Sequence, residues 1–205
     1  NSFVMANGLP IYAAGSGYAG DDSVQLVKKD RDSRLVLFMK APGELKFTEG
    51  DVSLEPHPMI ISNAIENKYI TGYPVKKGLS YVRSQVEGLQ GTIGSIVFRA
   101  VEAYLNYIEA SYLKNGSIDS KADGYWKAIR ERAGINSDYN VTIAATDMAE
   151  EAKNDMAAYS QGVLLADKVL YNIRRERRDE LIAEGFRMDD LRRWRALDQL
   201  KTTPY

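Results

Sequence analysis

The sequence predicts a mainly α-helical protein in which helical hairpins accompany an irregular region of loops and short strands. Glycine and proline interrupt residues 1–93 throughout, which is typical of loops and short strands. From residue 94, apolar residues recur at three- and four-residue steps, which is typical of helices. Long helices with short connections favour antiparallel hairpins, the unit of helical-repeat scaffolds. We therefore expect a loop-rich region, 1–93, and a helical region, 94–205, within one domain.

The first region contains three runs that favour strands, at residues 34–40, 68–75 and 80–86. Its sequence also holds the single histidine of the chain, His57, which lies between two prolines. A metal site or a catalytic triad would have to be built around that residue. We interpret His57 as a loop histidine.

The second region predicts five helices, at about residues 93–115, 120–133, 146–160, 163–184 and 189–200. The first carries an apolar stripe that begins at Val97 and ends before Gly116, a residue suited to a left-handed cap. Ser120 or Asp123 is expected to cap the second helix. Gly185 is expected to end the fourth.

Composition excludes several classes of function. The 27 Lys and Arg balance 28 Asp and Glu, for a net charge of −1, so no basic field attracts nucleic acid. Cysteine is absent from the sequence, which rules out disulfides, thiolate zinc sites and cysteine nucleophiles. No apolar run approaches the roughly 18 residues of a membrane span. We expect neither a metal nor a cofactor.

Residues 172–195, NIRRERRDELIAEGFRMDDLRRWR, contain eight arginines and six carboxylates. Their net charge of +2 is too small for a nucleic-acid stripe, and few aromatic residues accompany them. Glu176, Glu180 and Glu184 share one helix face, as catalytic acids would. However, Arg177 and Arg178 lie among them, and neighbouring cations keep carboxylates ionised instead of turning them into proton donors.

Arg177 favours a third interpretation, an internal framework of ion pairs. It lies four residues after Ile173 and four before Leu181, within an apolar stripe, where an unpaired charge would be very costly. Asp189 and Asp190 of the next helix are natural partners. Gly185 permits the turn between the two helices, and Leu191 and Trp194 would face the core. The segment is thus predicted to be an architectural corner.

The same segment resembles the signature of the SusD/RagB family of nutrient-binding outer-membrane lipoproteins of Bacteroidetes. The matching positions are Glu176, Arg177, Glu180, Leu181, Glu184, Gly185, Arg187, Asp190, Leu191, Arg193 and Trp194. NGLPI near the start, TGYPVKKG at 71–78 and YWKAIRERAGI at 125–135 support the resemblance and extend it along the chain. One departure is Ser33, which stands where the family usually has proline between Arg-Asp and Arg.

The resemblance implies a SusD-like fold with tetratricopeptide-like hairpins, of which this chain would be the C-terminal domain. It implies location at the cell surface, on the outer membrane, through an N-terminal lipid anchor that this chain lacks. It also implies a SusC-like TonB-dependent transporter as partner, an oligosaccharide or peptide as ligand, and no enzymatic activity.

Ligand contacts are not set by the family signature, so they are predicted from chemistry. Sugars present apolar ring faces and hydroxyl rims, which aromatic rings and polar side chains recognise. Tyrosines within helices, together with Trp126 and Trp194, are expected to pack. The candidate ligand residues are therefore the loop tyrosines Tyr12, Tyr18, Tyr69 and Tyr73, with Asn7, Asp21 and Asp22 as possible hydroxyl partners.

Three hypotheses stay open at this point. The first is a glycan-binding surface protein that works with a transporter. The second is a helical interaction module that binds a peptide or a protein partner and no glycan. The third is a hydrolase that uses the carboxylates of the charged segment.

Overall fold

The computed structural model describes residues 2–50, 53–61, 69, 71–86, 90–94 and 96–201. These residues form two compact units. The helical unit contains residues 2–18, 30–33 and the described residues from 98 onward. The loop unit contains residues 19–29 and the described residues between 34 and 97. Two segments from the first third of the chain therefore pack within the helical unit.

The mainly α class is confirmed, because helices far outnumber strands among the described residues. The α-helices are α1 Val24–Lys28, α2 Ser33–Phe38, α3 Arg83–Val86, α4 Ala100–Asn115, α5 Ser120–Arg132, α6 Tyr139–Ala145, α7 Met148–Ala152, α8 Lys168–Glu180 and α9 Arg187–Arg193. Short 3-10 helices span Met156–Ala158 and Ala196–Lys201. Two antiparallel strand pairs complete the list: β1 Leu45–Phe47 with β2 Ser53–Leu54, and β3 Tyr159–Ser160 with β4 Val163–Leu164.

The core of the helical unit lies between α4, α5 and α8. Leu105, Ile108 and Trp126 are each 1% exposed and belong to one apolar cluster, to which α8 contributes Ile173. The Trp126 ring stacks on Tyr139 of α6 at a centroid distance of 4.2 Å. Trp126 is therefore a packing residue, as the sequence predicts.

Charged residues of α8 are buried to an extent that its sequence does not suggest. Besides Ile173 and Arg177, the interior of the protein encloses Arg174, Arg175, Glu176, Asp179 and Glu180. The sequence predicts burial of one apolar face of α8, but the buried part of the helix also includes these charged residues. Burial is tolerated because arginines and carboxylates of the same helix find partners on its neighbours.

Two helices begin later in the structure than the sequence predicts. α4 begins at Ala100, and Val97, expected in its apolar stripe, is 92% exposed. Arg99 has extended backbone at this boundary, and its guanidinium holds Glu180 and Glu184. α8 begins only at Lys168, because the residues expected to start it form β4. It ends at Glu180.

The other boundaries differ for local reasons. Asp119, not Ser120 or Asp123, caps α5 by accepting from the N–H groups of Lys121 and Ala122. The helix predicted at 146–160 is the shorter α7, and α6 before it was not predicted. The last predicted helix ends at Arg193; Arg195 has a φ of 54°, and a 3-10 helix follows.

The run at 34–40 was expected to favour a strand, and this is wrong, because residues up to Phe38 continue α2. Only Met39, at its end, makes an isolated antiparallel bridge, to Val75. The run at 80–86 ends in the short helix α3. Within the run at 68–75, residues 68 and 70 lie outside the described part of the chain.

Candidate functional site

Tyr12, one of the predicted ligand residues, lines a cleft in the helical unit with a volume of about 150 Å³. The remaining walls come from the N-terminal loop, from α7 and the turn after it, and from α8. They include Ile11, Glu150, Glu151, Asn154, Asp155 and Arg178. The cleft thus combines an aromatic ring with carboxylate and amide groups, the set that sugar recognition uses.

The phenol of Tyr12 is held by α7. Its hydroxyl donates to Glu151 Oε1 at 2.8 Å and accepts from the backbone N–H of Asp147 at 2.9 Å. Burial raises the pKa of this hydroxyl, so it remains a donor at neutral pH. Because the hydroxyl already has two partners and the residue is 38% exposed, Tyr12 offers a ligand its ring.

Local sequence places the acids of the cleft. The carboxylate of Asp147 caps α7 by accepting from the N–H groups of Ala149 at 2.8 Å and Glu150 at 3.4 Å. An aspartate in this position satisfies backbone donors that a helix start leaves open. Glu150 and Glu151 therefore fall in the first turn of α7, beside Tyr12.

Tyr171 and Arg175 of α8 support Glu151 from below the cleft. The Tyr171 hydroxyl donates to Glu151 Oε2 at 2.8 Å and lies 3.3 Å from Asp155 Oδ2. Arg175 forms an ion pair with Glu151. Burial raises the pKa of Tyr171 well above its usual range and lowers that of Arg175 to about 10, so both groups stay protonated at neutral pH.

Asp155 is held in the ionised state by two arginines. Its Oδ2 lies 3.1 Å from Arg178 Nη1, and its Oδ1 pairs with Arg187. Burial by itself would raise the pKa of Asp155, but Arg178, Arg187 and the N–H of Ala157 together bring it below its ordinary value. This carboxylate is a hydrogen-bond acceptor and not a proton donor at neutral pH.

Tyr18, Tyr69 and Tyr73 do not line the Tyr12 cleft. Tyr18 belongs to the helical unit, half-buried beside Arg31, whose guanidinium carbon is 5.3 Å from the ring centre. Tyr69 and Tyr73 belong to the loop unit, where Tyr73 is 42% exposed. The backbone N–H of Tyr69 donates to Met59 O at 2.9 Å. Their role as ligand residues stays a prediction.

The three polar candidates occupy different settings. Asn7 stabilises its own loop, because its Nδ2 donates to Ser16 O at 3.2 Å and its Oδ1 accepts from Leu9 N at 3.0 Å. Asp21 and Asp22 are exposed in the loop unit. Contact of any of the three with a sugar hydroxyl stays a prediction.

Arg177 makes the buried ion pair that its position predicts. It is 5% exposed, and its Nε lies 2.8 Å from both carboxylate oxygens of Asp190. Its Nη1 donates to Asn106 Oδ1, also at 2.8 Å. Asp189, the other predicted partner, is instead on the surface and lies 3.4 Å from Arg192. Gly185 occupies the turn between α8 and α9 with a φ of 87°.

Other signature residues pair with side chains that lie outside residues 172–195. Arg193 grips both oxygens of Glu109 at 2.6 and 2.7 Å, and the same carboxylate accepts from Trp194 Nε1 at 2.7 Å. Arg99 binds Glu180 at 2.8 Å and Glu184 at 2.6 Å. In the same way, Glu176 accepts from Trp126 Nε1 at 3.0 Å, and Arg187 pairs with Asp155.

The sequence did not predict four residues that pair with the charged segment from elsewhere in the chain: Glu109, Glu151, Asp155 and Arg99. Glu109 left a detectable signal, because it follows Leu105 by four residues and therefore lies on the apolar face of α4. Glu151 and Asp155 left none, since neither lies in a periodic apolar stripe long enough to mark it as buried.

Among the described residues, no group of three histidine or acidic side chains is arranged to hold a metal ion. His57 is exposed in the loop unit. None of the described helices has both the length and the apolar character needed to cross a membrane.

Comparison with known proteins finds a match to a family. The sequence profile of the SusD family matches residues 1–204. No curated protein and no solved structure matches the chain significantly.

Proposed function

This chain belongs to the SusD family, and from that membership we propose that it captures oligosaccharides at the cell surface for a SusC-like TonB-dependent transporter. Members of the family are surface lipoproteins that bind nutrients, glycans in particular, and they are binding proteins, not enzymes. The observation that carries the proposal is the family match over residues 1–204, nearly the whole chain.

The Tyr12 cleft is the proposed ligand site. A sugar ring placed on Tyr12 would bring its hydroxyls near the carboxylate of Glu150 and the amide of Asn154, which line the same cleft. Sugar-binding sites depend on this combination of one apolar surface and several polar groups. Tyr18, Tyr69 and Tyr73 are the alternative contact positions.

The proposed role is binding without catalysis. Asp155 is kept ionised by Arg178 and Arg187, as shown by its lowered pKa. Glycoside hydrolysis needs one carboxylic acid that is protonated at working pH and a second carboxylate opposite it. The ion pairs of Glu180 and Glu184 with Arg99 likewise support a structural role for the acids of the signature.

From its family we expect the protein to be held at the outer membrane by a lipid anchor. Nucleic acid is not an expected partner, because the net charge of the chain is −1. The partner is expected to be the transporter, which would receive the bound oligosaccharide.

Isothermal titration calorimetry of the full-length protein with a panel of oligosaccharides and peptides tests the proposal. Binding of at least one oligosaccharide is expected. Tyr12→Ala should weaken it by roughly fivefold, since an aromatic contact contributes about 1 kcal/mol. Tyr12→Phe should bind as the wild type does, because the hydroxyl is occupied by Glu151 and Asp147.

Tyr73→Ala tests the alternative position, since Tyr73 is an exposed tyrosine of the other unit. If Tyr73→Ala weakened binding and Tyr12→Ala did not, the ligand site would belong to the loop unit. If peptides bound and oligosaccharides did not, or if a transporter pull-down succeeded while every ligand failed, the interaction-module hypothesis would replace the glycan proposal.

A further inference from the structure

A second pocket lies in the loop unit, and none of the ligand residues that the sequence predicts is among those that line it. Three lysines, one glutamate and two aromatic residues contribute to its lining: Lys40, Lys46, Lys76, Glu55, Phe47 and Tyr81. β1 supplies Lys46 and Phe47, and the segment before α3 supplies Tyr81. Its volume is about 70 Å³.

Among the described residues around this pocket, lysines outnumber glutamates. Lys40 lies 3.4 Å from Glu55, and Lys76 lies 3.5 Å from Glu44. Glu44 is also paired with Lys28, a buried lysine. Glu44 and Glu55 are therefore the partners of three lysines, Lys28, Lys40 and Lys76, out of the four in and around the pocket.

Lys46 is the fourth lysine, and no carboxylate within the described part of the chain pairs with it. Its Nζ lies 5.4 Å from the centroid of the Phe47 ring. The four lysines and two glutamates leave an excess of two positive charges. An ammonium group that lines a pocket without a carboxylate partner is available to an external anion.

The neighbouring glutamate and lysine keep their charges. Burial would raise the pKa of Glu44, but Lys28, the Ala41 N–H and Lys76 lower it overall. Burial would lower the pKa of Lys76, but Tyr81 and Glu44 raise it overall. Glu44 therefore stays ionised and Lys76 stays protonated across neutral pH.

The pocket has an aromatic and apolar rim as well as charge. Tyr81 is 43% exposed, with Lys76 Nζ 5.2 Å from its ring centre. Leu79 and Val86, also on the lining, are 50% and 43% exposed. A sugar ring could rest its apolar face on such a surface while a charged substituent enters the pocket.

Size restricts what can enter. One water needs about 10–15 Å³ of such space, so 70 Å³ holds only a few water-sized groups. That matches a carboxylate or a sulfate group. A pyranose ring is too large and would have to stay outside, against Tyr81.

We propose that this pocket binds the carboxylate or sulfate group of an acidic oligosaccharide, with Lys46 as its principal cation. The inference rests on the proposed glycan-binding function and adds to it a second sugar site, in the loop unit, for acidic sugars. Lys40 and Lys76 line the same space and add positive field, although each already has a glutamate partner.

The test is calorimetry of the full-length protein at low and high salt with three probes. These are a tetragalacturonate, its methyl ester, which has the same backbone without charge, and a sulfated chondroitin oligosaccharide. The tetragalacturonate or the sulfated probe should bind at least tenfold more tightly than the methyl ester, and added salt should weaken that binding.

Lys46→Gln should reduce binding of the preferred acidic probe by about tenfold, the size of one charge-assisted hydrogen bond. Lys46→Arg should restore most of it, because the charge is retained. Lys114→Gln removes an exposed lysine of the helical unit and should have no effect.

The outcomes separate this inference from the proposed function. If the methyl ester or other neutral oligosaccharides bound as tightly as the acidic probes, or if Lys46→Gln bound like wild type, the acidic-sugar inference would be overturned and the glycan proposal would stand. If no oligosaccharide of either kind bound, both would fail. Because the chondroitin probe carries carboxylates as well as sulfates, tighter binding of tetragalacturonate would show that carboxylates are sufficient, and tighter binding of the chondroitin probe would show that sulfate adds to recognition; either result supports the proposal.

Discussion

At the scale of single residues, Arg177 shows how a charge can occupy a core position. Its Nε is shared between the two oxygens of Asp190, and its Nη1 reaches Asn106. The ring of Phe186 lies 5.7 Å from the guanidinium carbon, so the cation is enclosed on an apolar side as well. Removal of the side chain would leave a buried carboxylate with one fewer donor, a costly state.

Arg177→Ala is therefore expected to lower the free energy of unfolding by about 3–5 kcal/mol, the usual cost of breaking a buried pair. Urea unfolding followed by tryptophan fluorescence measures this change. Arg192→Ala is the matched control, since Arg192 and its partner Asp189 have side chains that are 68% and 81% exposed. That variant should change stability by less than about 1 kcal/mol. An unchanged midpoint for Arg177→Ala would contradict the role assigned to the pair.

The need for a partner at Arg177 is predictable from the sequence, and Asp190 was among the predicted partners. The contacts with Asn106 and the grip of Arg193 on Glu109 are not, because these residues lie 71 and 84 positions away along the chain. Local spacing can place an acid on the next helix. It carries no information on which distant helix will pack alongside.

At the scale of elements, aspartate caps four of the α-helices in the helical unit, whereas α4 and α9 begin without a side-chain cap. Asp119, Asp138, Asp147 and Asp167 cap α5, α6, α7 and α8, each through its side chain. Asp167 does more than cap, because it also accepts from the hydroxyl of Tyr112 on α4, at 2.8 Å. Burial and this bond raise the pKa of Tyr112 to about 12, so the hydroxyl remains a donor.

Asp167→Ala should lower the free energy of unfolding by about 2 kcal/mol, one part for the lost cap and one for the lost tyrosine bond. Asp167→Ser separates the parts, since serine caps a helix but is too short to replace the contact with Tyr112. It should recover about 1 kcal/mol. Tyr112→Phe should lose only the tyrosine part. Equal stability of the alanine and serine variants would show that the cap contributes nothing.

Element boundaries were harder to predict than element types. The sequence extends the fourth helix back to Val163, yet Val163 and Leu164 pair with β3 instead. Apolar periodicity cannot distinguish the end of a helix from an adjoining strand when the residues suit both. α2 shows the same ambiguity, since a short apolar run was expected to favour a strand and forms a helix.

At the scale of the whole molecule, carboxylates in several regions favour the ionised state when the chain is folded. Burial opposes ionisation of Glu109 and Asp155, but bonds from arginines outweigh it and lower the pKa of each carboxyl. Their ordinary values are 4.5 and 3.8. A lowered folded-state pKa means that the unfolded chain binds protons more readily.

The contribution of these two groups to stability is therefore complete above about pH 5 and is lost as pH falls below 4 towards the folded pKa values. Urea unfolding between pH 7 and pH 3 should show a falling free energy of unfolding over that range. Glu109→Gln should be less stable at pH 7 and should show a shallower acid slope than wild type. A slope identical to wild type would mean that Glu109 is not coupled to folding.

Periodicity, charge balance and motif spacing are local properties, and they are enough to predict the mainly α class, the architectural character of the charged segment and the family resemblance. The cleft that Tyr12 shares with Glu150 and Asn154, and the pocket that Lys46 lines with Lys40 and Lys76, are visible in the folded structure alone. Those groups come from separate stretches of chain. Their proximity depends on how the elements pack, which no local pattern records.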